Sequence, residues 1–467
     1  MKHVAILTIL LCTLAQAAVI QIPQDYPKIQ DAINQASEGD TLVVQPGEYE
    51  ENINFRGKNI VLTSLDPNDP NTVANTVIYR TAVYNPRGKT YDTSGNGSII
   101  TFSSGETAAA ALTGFTIRGG YGTNLSSTFW YGAGIFCLNA SPTITHNVIT
   151  LNIGPLGLQE GQPIGYGGGI CCVASGAYVA YNIFADNLAA AGGGILALED
   201  NSVFYNNLIK DNSASIGGGV ALVGGLLINN TVVQNSASQL GGNLYAGLDQ
   251  DQNLSTFVAN NVFFGSPVGY GLAVEGVSSE AWFIHNNVFD NRPGDFIDGI
   301  TGLTIDGFTD TQGNISADPL FLKLEDENYH LSDDSPCIDA GTSLVEMALG
   351  NTDLNGHIRH FGLSVDMGAY ENTICSAPVA NAGPDQACLL GETVQLSGDN
   401  SVICNPNERI LFIWDQSSGL STLLDDPLTS NPTFTPPAIG EYVFELILFN
   451  GDQLSRPDRV TIHVIQR

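Results

Sequence analysis

The chain has 467 residues, room for two or three domains, yet only 13% of them are charged and 52 are glycine. Long helices with solvated faces want more Glu and Lys than this, so the composition points to many short strands and turns. A formal net charge of −31 argues against nucleic acid or an anionic membrane surface as partner, and makes a polyanionic glycan an awkward ligand unless a local basic patch attracts it.

The first 17 residues, MKHVAILTILLCTLAQA, read as a secretory signal peptide. Lys2 gives the charged end, Val4 to Leu14 the apolar run, and Ala15-Gln16-Ala17 the small-residue cleavage site. The run is short for a bilayer span, so the mature chain is expected to be secreted or held at the cell surface without being an integral membrane protein. Next, Ile29, Ala32, Ile33 and Ala36 share one face of a short helix that Gly39-Asp40 ends, and Thr41 to Val44 begin a strand. The loop YRTAVYNPRGKTY then sets Arg80, Arg87 and Lys89 among tyrosines. It is the strongest basic cluster in an acidic chain, and the place to seek an acidic glycan.

From there a repeat of about 25 residues governs the chain. One Asn per repeat can be aligned: Asn147, Asn182, Asn207, Asn230, Asn261 and Asn287. Three residues before it stand Ile144, Val179, Phe204, Leu227, Val258 and Ile284; two after it stand Ile149, Phe184, Ile209, Val232, Phe263 and Phe289. A glycine-rich triplet precedes Ile135, Ile170, Ile195, Val220, Leu244 and Leu272. Such a period without helical spacing implies a solenoid of stacked coils. The aligned Asn suits a tight corner, because Asn tolerates left-handed backbone and its amide can bond to the Asn above. The glycines suit another corner, where a side chain would crowd the next coil. A phosphate-binding loop would occur once and lead into a helix, and neither is the case here.

These columns resemble the right-handed parallel β-helix of the pectin-lyase-like superfamily, and IQIPQDYPKIQDAINQASEGDTLVVQPGEYEENINF is similar to its N-terminal cap and first coil. The resemblance spans roughly residues 19–330. It implies a fold and not a reaction, because lyases, hydrolases, epimerases, adhesins and phage spikes share it. Ca²⁺-dependent lyases of this fold need carboxylates for the ion and Arg or Lys as base. Alternation puts Phe136, Cys171, Leu196 and Ala221 on the outer face here, followed by Leu138, Val173, Leu198 and Val223. That face is apolar, and we expect it to be covered by inserted loops or by a partner; Phe136, Leu138, Leu196 and Leu198 are the candidate interface residues.

Two insertions precede the glycine corner and should emerge side by side, carrying Tyr121, Phe129, Trp130, Tyr131 and Tyr166. Flat aromatics on a loop stack against sugar rings, though they serve equally as a lid over an apolar strip. Asp186 and Asp211 occupy equivalent places and are expected to be solvated turn residues, with a shared Ca²⁺ as the other reading. Asp353 and Asn355 of NTDLNGH, with Asp366, resemble part of a calcium loop, but the twelve-residue pattern is incomplete. Polygalacturonases of this fold use Asn-x-Asp and Gly-His-Gly. Asn351-Thr352-Asp353 and Gly356-His357 lie in the terminal segment without the final Gly, so no catalytic residue is assigned. Cys137 and Cys172 are equivalent inward positions that could form a disulfide or remain stacked thiols, while Cys171 faces outward.

Near the end, GNISADPLFLKLEDENYHLSDDSPCIDAG and VDMGAYE resemble a terminal segment of exported bacterial β-helix proteins. PVANAGPDQACLLGETVQLSGDNS through GEYVFELILFN is similar to a polycystic-kidney-disease (PKD)-type immunoglobulin-like module, with Val394 and Leu396 alternating against Thr393, Gln395 and Ser397. Cys388 with Cys404 is the favoured disulfide, and Cys337 with Cys375 the second.

The expected fold is therefore all-β: a right-handed parallel β-helix solenoid with an N-terminal capping helix, followed by an immunoglobulin-like β-sandwich. The expected organisation is signal peptide 1–17, β-helix 18–330, irregular cap 331–375 and sandwich 376–467. The expected role is non-catalytic: carbohydrate binding, adhesion or surface assembly, with polysaccharide or a cell-surface glycan as partner. A polysaccharide lyase or glycoside hydrolase with its cleft on the Arg80 to Tyr131 side, and a self-associating structural surface protein, are the alternatives. No cofactor is assigned, with Ca²⁺ possible.

Overall fold

A computed structural model of the chain describes residues 17–81, 84–85, 90–91, 97–126, 128–156, 158–159, 162–247, 256–275, 283–298, 312–343, 349–359, 361–362, 364–373, 378–402, 410–450 and 454–466. One compact unit runs to Pro319 and takes in Met367–Ala369; the other holds Leu320–Asp366 and the chain from Tyr370 onward.

The first unit is a parallel β-helix. Each coil contributes short strands that pair in parallel with the same strands of the coils on either side. On one facet Ile135 pairs with Ile170, then in turn Ile195, Val220, Leu244, Leu272 and Phe296 follow in register. In two coils the strand runs unbroken through a corner, as Ile195–Tyr205 and Val220–Ile228, and joins two facets into one sheet. The third facet stacks Thr116–Arg118, Val148–Thr150, Ile183–Ala185, Leu208–Lys210, Thr231–Val233 and Val262–Phe264. Side chains of period two then fill the interior with continuous apolar columns: Ile144, Val179, Phe204, Leu227 and Val258 lie in one core with Ile149, Phe184, Ile209, Val232 and Phe263.

The aligned asparagines form a buried ladder. Asn147 Nδ2 donates to Asn182 Oδ1 at 3.0 Å, Asn182 to Asn207 at 3.2 Å, Asn207 to Asn230 at 3.0 Å, and Asn230 to Asn261 at 3.0 Å. Each amide also reaches main-chain carbonyls, as Asn182 does to Ile144 and Ala180, so no buried polar atom of the rung is left over.

Two expectations need correction. The sixth rung is Asn286 and not Asn287: Asn261 Nδ2 donates to Asn286 Oδ1 at 2.9 Å, and Asn287 pairs with Val262 one place further on. Phe283 and Val288 therefore occupy the core columns in place of Ile284 and Phe289. Nor does the ladder Asn itself bend the chain. The residue before it does, with positive φ at His146, Tyr181, Asn206, Asn229, Asn260 and His285. That left-handed residue turns the backbone so that the following amide points under the corner toward the next coil.

A second ladder lies five residues on, through Asn152, Asn187, Asn212 and Asn235. The next coil has Ser266 at this place, and the amide comes instead from Asn243, which accepts from Asn235 and donates to Asn291. In the coil before, the residue equivalent to Asn243 is Gly219, where a Cβ would sit 2.9 Å from the Asn235 amide. One position of the facing pair carries the amide and the other is small, and in this coil the two have changed places. The middle glycines meet backbone: a Cβ on Gly168 or Gly193 would lie 2.3 Å from a carbonyl oxygen of the next coil.

The helix Ile29–Gln35 buries Ile29, Ala32 and Ile33 against the first coils. Its free N–H groups at Ile29 and Gln30 donate to the Glu51 carboxylate at 2.9 and 3.0 Å. The Lys58 ammonium donates to the carbonyls of Ile33, Asn34 and Ala36 at its other end. Opposite charges thus sit at the two ends that want them.

The second unit ends in an immunoglobulin-like β-sandwich. Strands Gln386–Leu389, Asp458–Ile465, Gly440–Phe449 and Leu411–Ser418 form one sheet, and Val394–Gln395 pairs with Thr433–Phe434. Trp414, Phe444, Leu446, Leu448, Val460 and Ile462 are its core, with Val394 and Leu396 inward as their alternation requires. The Tyr442 hydroxyl donates to the Ala438 carbonyl at 2.8 Å and pins the corner before its strand.

Candidate functional site

The apolar outer strip is covered by the chain's own residues. Phe136, Cys171, Leu196 and Ala221 form a second buried cluster, separate from the solenoid core, and Tyr131, Tyr166 and Tyr245 pack on it. Leu138, Val173 and Leu198 are only half buried along its edge. Tyr131 and Tyr166 stack at 5.2 Å between centroids and 14° between planes, and Tyr131 also meets Phe136 at 5.8 Å. Loss of hydration raises both phenol pKa values above the usual tyrosine range, so these rings stay neutral. Tyr245, which the sequence did not single out, is likewise raised, by burial first and then by the neighbouring Glu275.

The two insertions do come together. Thr123–Ser126 pairs antiparallel with Phe129–Tyr131, and that strand pairs in parallel with Gly165–Tyr166. Alternation divides the aromatics between the faces of this small sheet. Phe129 and Tyr131 turn toward Tyr166, at 6.0 and 5.2 Å, over the strip. Trp130 stands on the other face, edge-on to Tyr121 at 6.5 Å and 78°, and is half exposed. Its cross-strand partner is Asn124, which is exposed, and the strand on its other side presents Gly165. Trp130 with Tyr121 is thus the part of the aromatic group that does not serve as lid.

Of the basic cluster, Arg80 is half buried, while Arg87 and Lys89 lie outside the described residues. The structure adds a cation that the sequence reading missed: Arg118 lies over the Tyr79 ring at 5.2 Å and pairs with Glu48 at 3.1 Å. Glu48 borders an open groove of about 570 Å³ that Asp69, Thr72, Asn75 and Val77 also line. Its two carboxylates do not form an acid–base pair. Asp69 caps the helix Pro70–Asn75, accepting from Thr72 and Asn71, and those bonds hold its pKa below the usual carboxylate range. Glu48 is committed to its exposed ion pair.

The suggested calcium ligands are occupied by the protein itself. Asp353 Oδ1 accepts from the amides of Asn355 and His357, and its Oδ2 from Glu371. Asp366 accepts from the amides of Asp339 and Asn372, and burial pushes its pKa up to about 6. The Asn355 amide instead meets His330 at 2.6 Å. Beside them the buried Arg359 pairs with Glu371 at 3.1 Å. These groups hold the turn together, and among the described residues no cluster of three His, Cys, Asp or Glu is arranged for a metal. Asp186 and Asp211 take the left-handed positions that precede the second asparagine ladder, with Lys210 beside Asp211 at 3.4 Å.

No disulfide occurs among the described residues. Cys137 and Cys172 pair across adjacent coils as buried thiols; the hydrogen bond from Cys137 and burial push the Cys172 pKa up, which disfavours its nucleophilic thiolate. Cys388 is a free thiol in this structure, and its expected partner Cys404, like Cys375, lies outside the described residues. Asp200, which sequence reasoning passed over, is fully buried, accepts from the Ser175 and Ser202 amides, and is pushed up to about 6 by burial.

No protein-family profile and no curated protein sequence matches the chain. Among solved structures it is similar to a pectin methylesterase from Aspergillus niger, with 14% identity over 62% of this chain and 81% of that one, at a TM-score of 0.33. The pectin methylesterase PemA from Erwinia chrysanthemi gives 10% identity over 63% and 93%, also at 0.33. A PKD domain from the KIAA 1837 protein gives 25% identity over 19% of this chain and 86% of that one, at 0.17. At these scores the fold assignment rests on the strand register described above.

Proposed function

We propose that the chain is an exported, non-catalytic β-helix protein of the pectin-lyase-like kind that binds carbohydrate through its inserted sheet, in adhesion or surface assembly. The observation that carries this is Trp130: a half-exposed indole on a small three-stranded sheet, with Tyr121 beside it and an exposed amide, Asn124, across the strand. A sugar presents one C–H face to such a ring and its hydroxyls to the neighbouring polar groups. On this reading residues 1–17 are a removed signal peptide, residues 18–330 the solenoid, 331–375 its cap, and 376–467 a PKD-type module that spaces or binds outside the cell. The lyase or hydrolase alternative is not favoured, because the strip under the inserts is lined by Phe136, Cys171, Leu196 and Ala221 and supplies neither acid nor base. The test is a glycan array run with the purified mature chain, alongside assays for new reducing ends and unsaturated products. Binding with no product supports the proposal; release of product from a bound glycan refutes it.

A further inference from the structure

The coils that carry the inserts are almost without charge. In the 80 residues from Gly119 to Leu198, Glu160 and Asp186 are the only Asp, Glu, Lys or Arg, where the chain's average of 13% would give about ten. Burial does not account for this. Asn124 is exposed, and Leu138, Thr145, Thr150, Val173 and Tyr178 are half exposed, spread over the three facets. Positions of this kind usually carry Lys or Glu. Here they carry amides, hydroxyls, aliphatics and rings.

The rest of the chain holds nearly all of the −31 charge. An acidic polysaccharide approaching Trp130 meets that long-range repulsion and finds no Lys or Arg in the 80-residue window to offset it. An uncharged polysaccharide meets neither penalty. Its hydroxyls both donate and accept, as do the amide of Asn124, which shares the Trp130 face, and the hydroxyl of Thr128, while its ring faces suit Trp130 and Tyr121. We infer that the Trp130 face takes a neutral polysaccharide and not a uronate polymer, an inference that rests on the carbohydrate-binding reading above.

The experiment titrates the full mature chain with neutral β-glucan, xylan and mannan oligosaccharides and with oligogalacturonate and alginate, each at low and high salt. Trp130→Ala and Trp130→Phe are compared, with circular dichroism confirming that both fold. The expected result is binding to at least one neutral oligosaccharide, unchanged by salt, weakened about tenfold by Trp130→Ala and less by Trp130→Phe. Uronate binding that weakens with salt and with Arg87→Ala/Lys89→Ala overturns the inference while leaving carbohydrate binding in place. Binding of neither class overturns the proposed function itself, and so does salt-independent self-association lost in Trp130→Ala.

Discussion

The exchange between Asn243 and Ser266 permits a sharp test of the stacking. Asn243→Gly removes an amide that accepts from the Asn235 main chain and side chain, at 3.3 and 3.0 Å, and donates to Phe264 and Asn291, at 3.2 and 2.8 Å. Each buried group stripped of its partner costs about 1–3 kcal/mol, so the variant should lose about 3–5 kcal/mol. Ser266→Asn alone forces a second amide into space that Asn243 already fills, at about 1–3 kcal/mol. The double variant recreates the arrangement of the preceding coil, where Gly219 faces Asn235. It should return to within about 1 kcal/mol of the parent, a coupling of at least about 3 kcal/mol. Urea unfolding of all four proteins, followed by the β-sheet circular dichroism of the solenoid, measures the cycle. Additive losses in the double variant would refute the claim that these side chains share one site.

Four further outcomes follow from the same structure. Gly193→Ala puts a Cβ 2.3 Å from the Gly218 carbonyl and 2.6 Å from that of Ser213; the coils must part, and thermal unfolding should show a loss of about 3 kcal/mol or more. Gly105→Ala, with φ of +81° and nothing within 4 Å, should lose only the backbone cost of about 1 kcal/mol. Leu196→Lys buries a charge beneath Tyr131 and Tyr166 and should prevent folding of those coils, whereas Leu198→Lys, at the half-exposed edge, should cost under about 1 kcal/mol, both read by urea midpoint. Burial raises Asp200 from 3.8 to about 6 in the fold, so the folded state holds its proton longer than the unfolded chain. Its contribution is therefore greatest below the unfolded value and is lost as pH rises through about 6, to a total of about 2–3 kcal/mol. Asp200→Asn should flatten the slope of unfolding free energy between about pH 4 and pH 7; an unchanged slope would remove Asp200 as its source.

The solenoid was legible because one physical constraint, like residues stacked on like, writes itself into the sequence as columns. The slip at the last rung has a specific origin. In Asn206-Asn207, Asn229-Asn230 and Asn260-Asn261 the first residue bends the chain and the second joins the ladder; at Asn286-Asn287 the bend falls on His285, and the ladder takes the first Asn. The pair His146-Asn147 carries the same signal and could have shown it. The second ladder was also visible, since Asn152, Asn187, Asn212 and Asn235 each follow a ladder Asn by five residues.

The candidate site was less legible. The sequence placed five aromatics on neighbouring insertions but could not divide them, because that depends on which face of the small sheet meets the strip. Register settles it: Phe129 and Tyr131 cover, and Trp130 does not. Asp353 and Asp366 accept backbone N–H bonds in a turn, an arrangement whose spacing and residue types a sequence shares with calcium loops.

The most direct measurement is a crystal structure of the protein soaked with the neutral oligosaccharide it binds best, with the soaking solution analysed for cleavage. The account requires a sugar ring lying on the Trp130 indole and an oligosaccharide of unchanged length. A saccharide bound elsewhere, or shortened after contact with the protein, would contradict it.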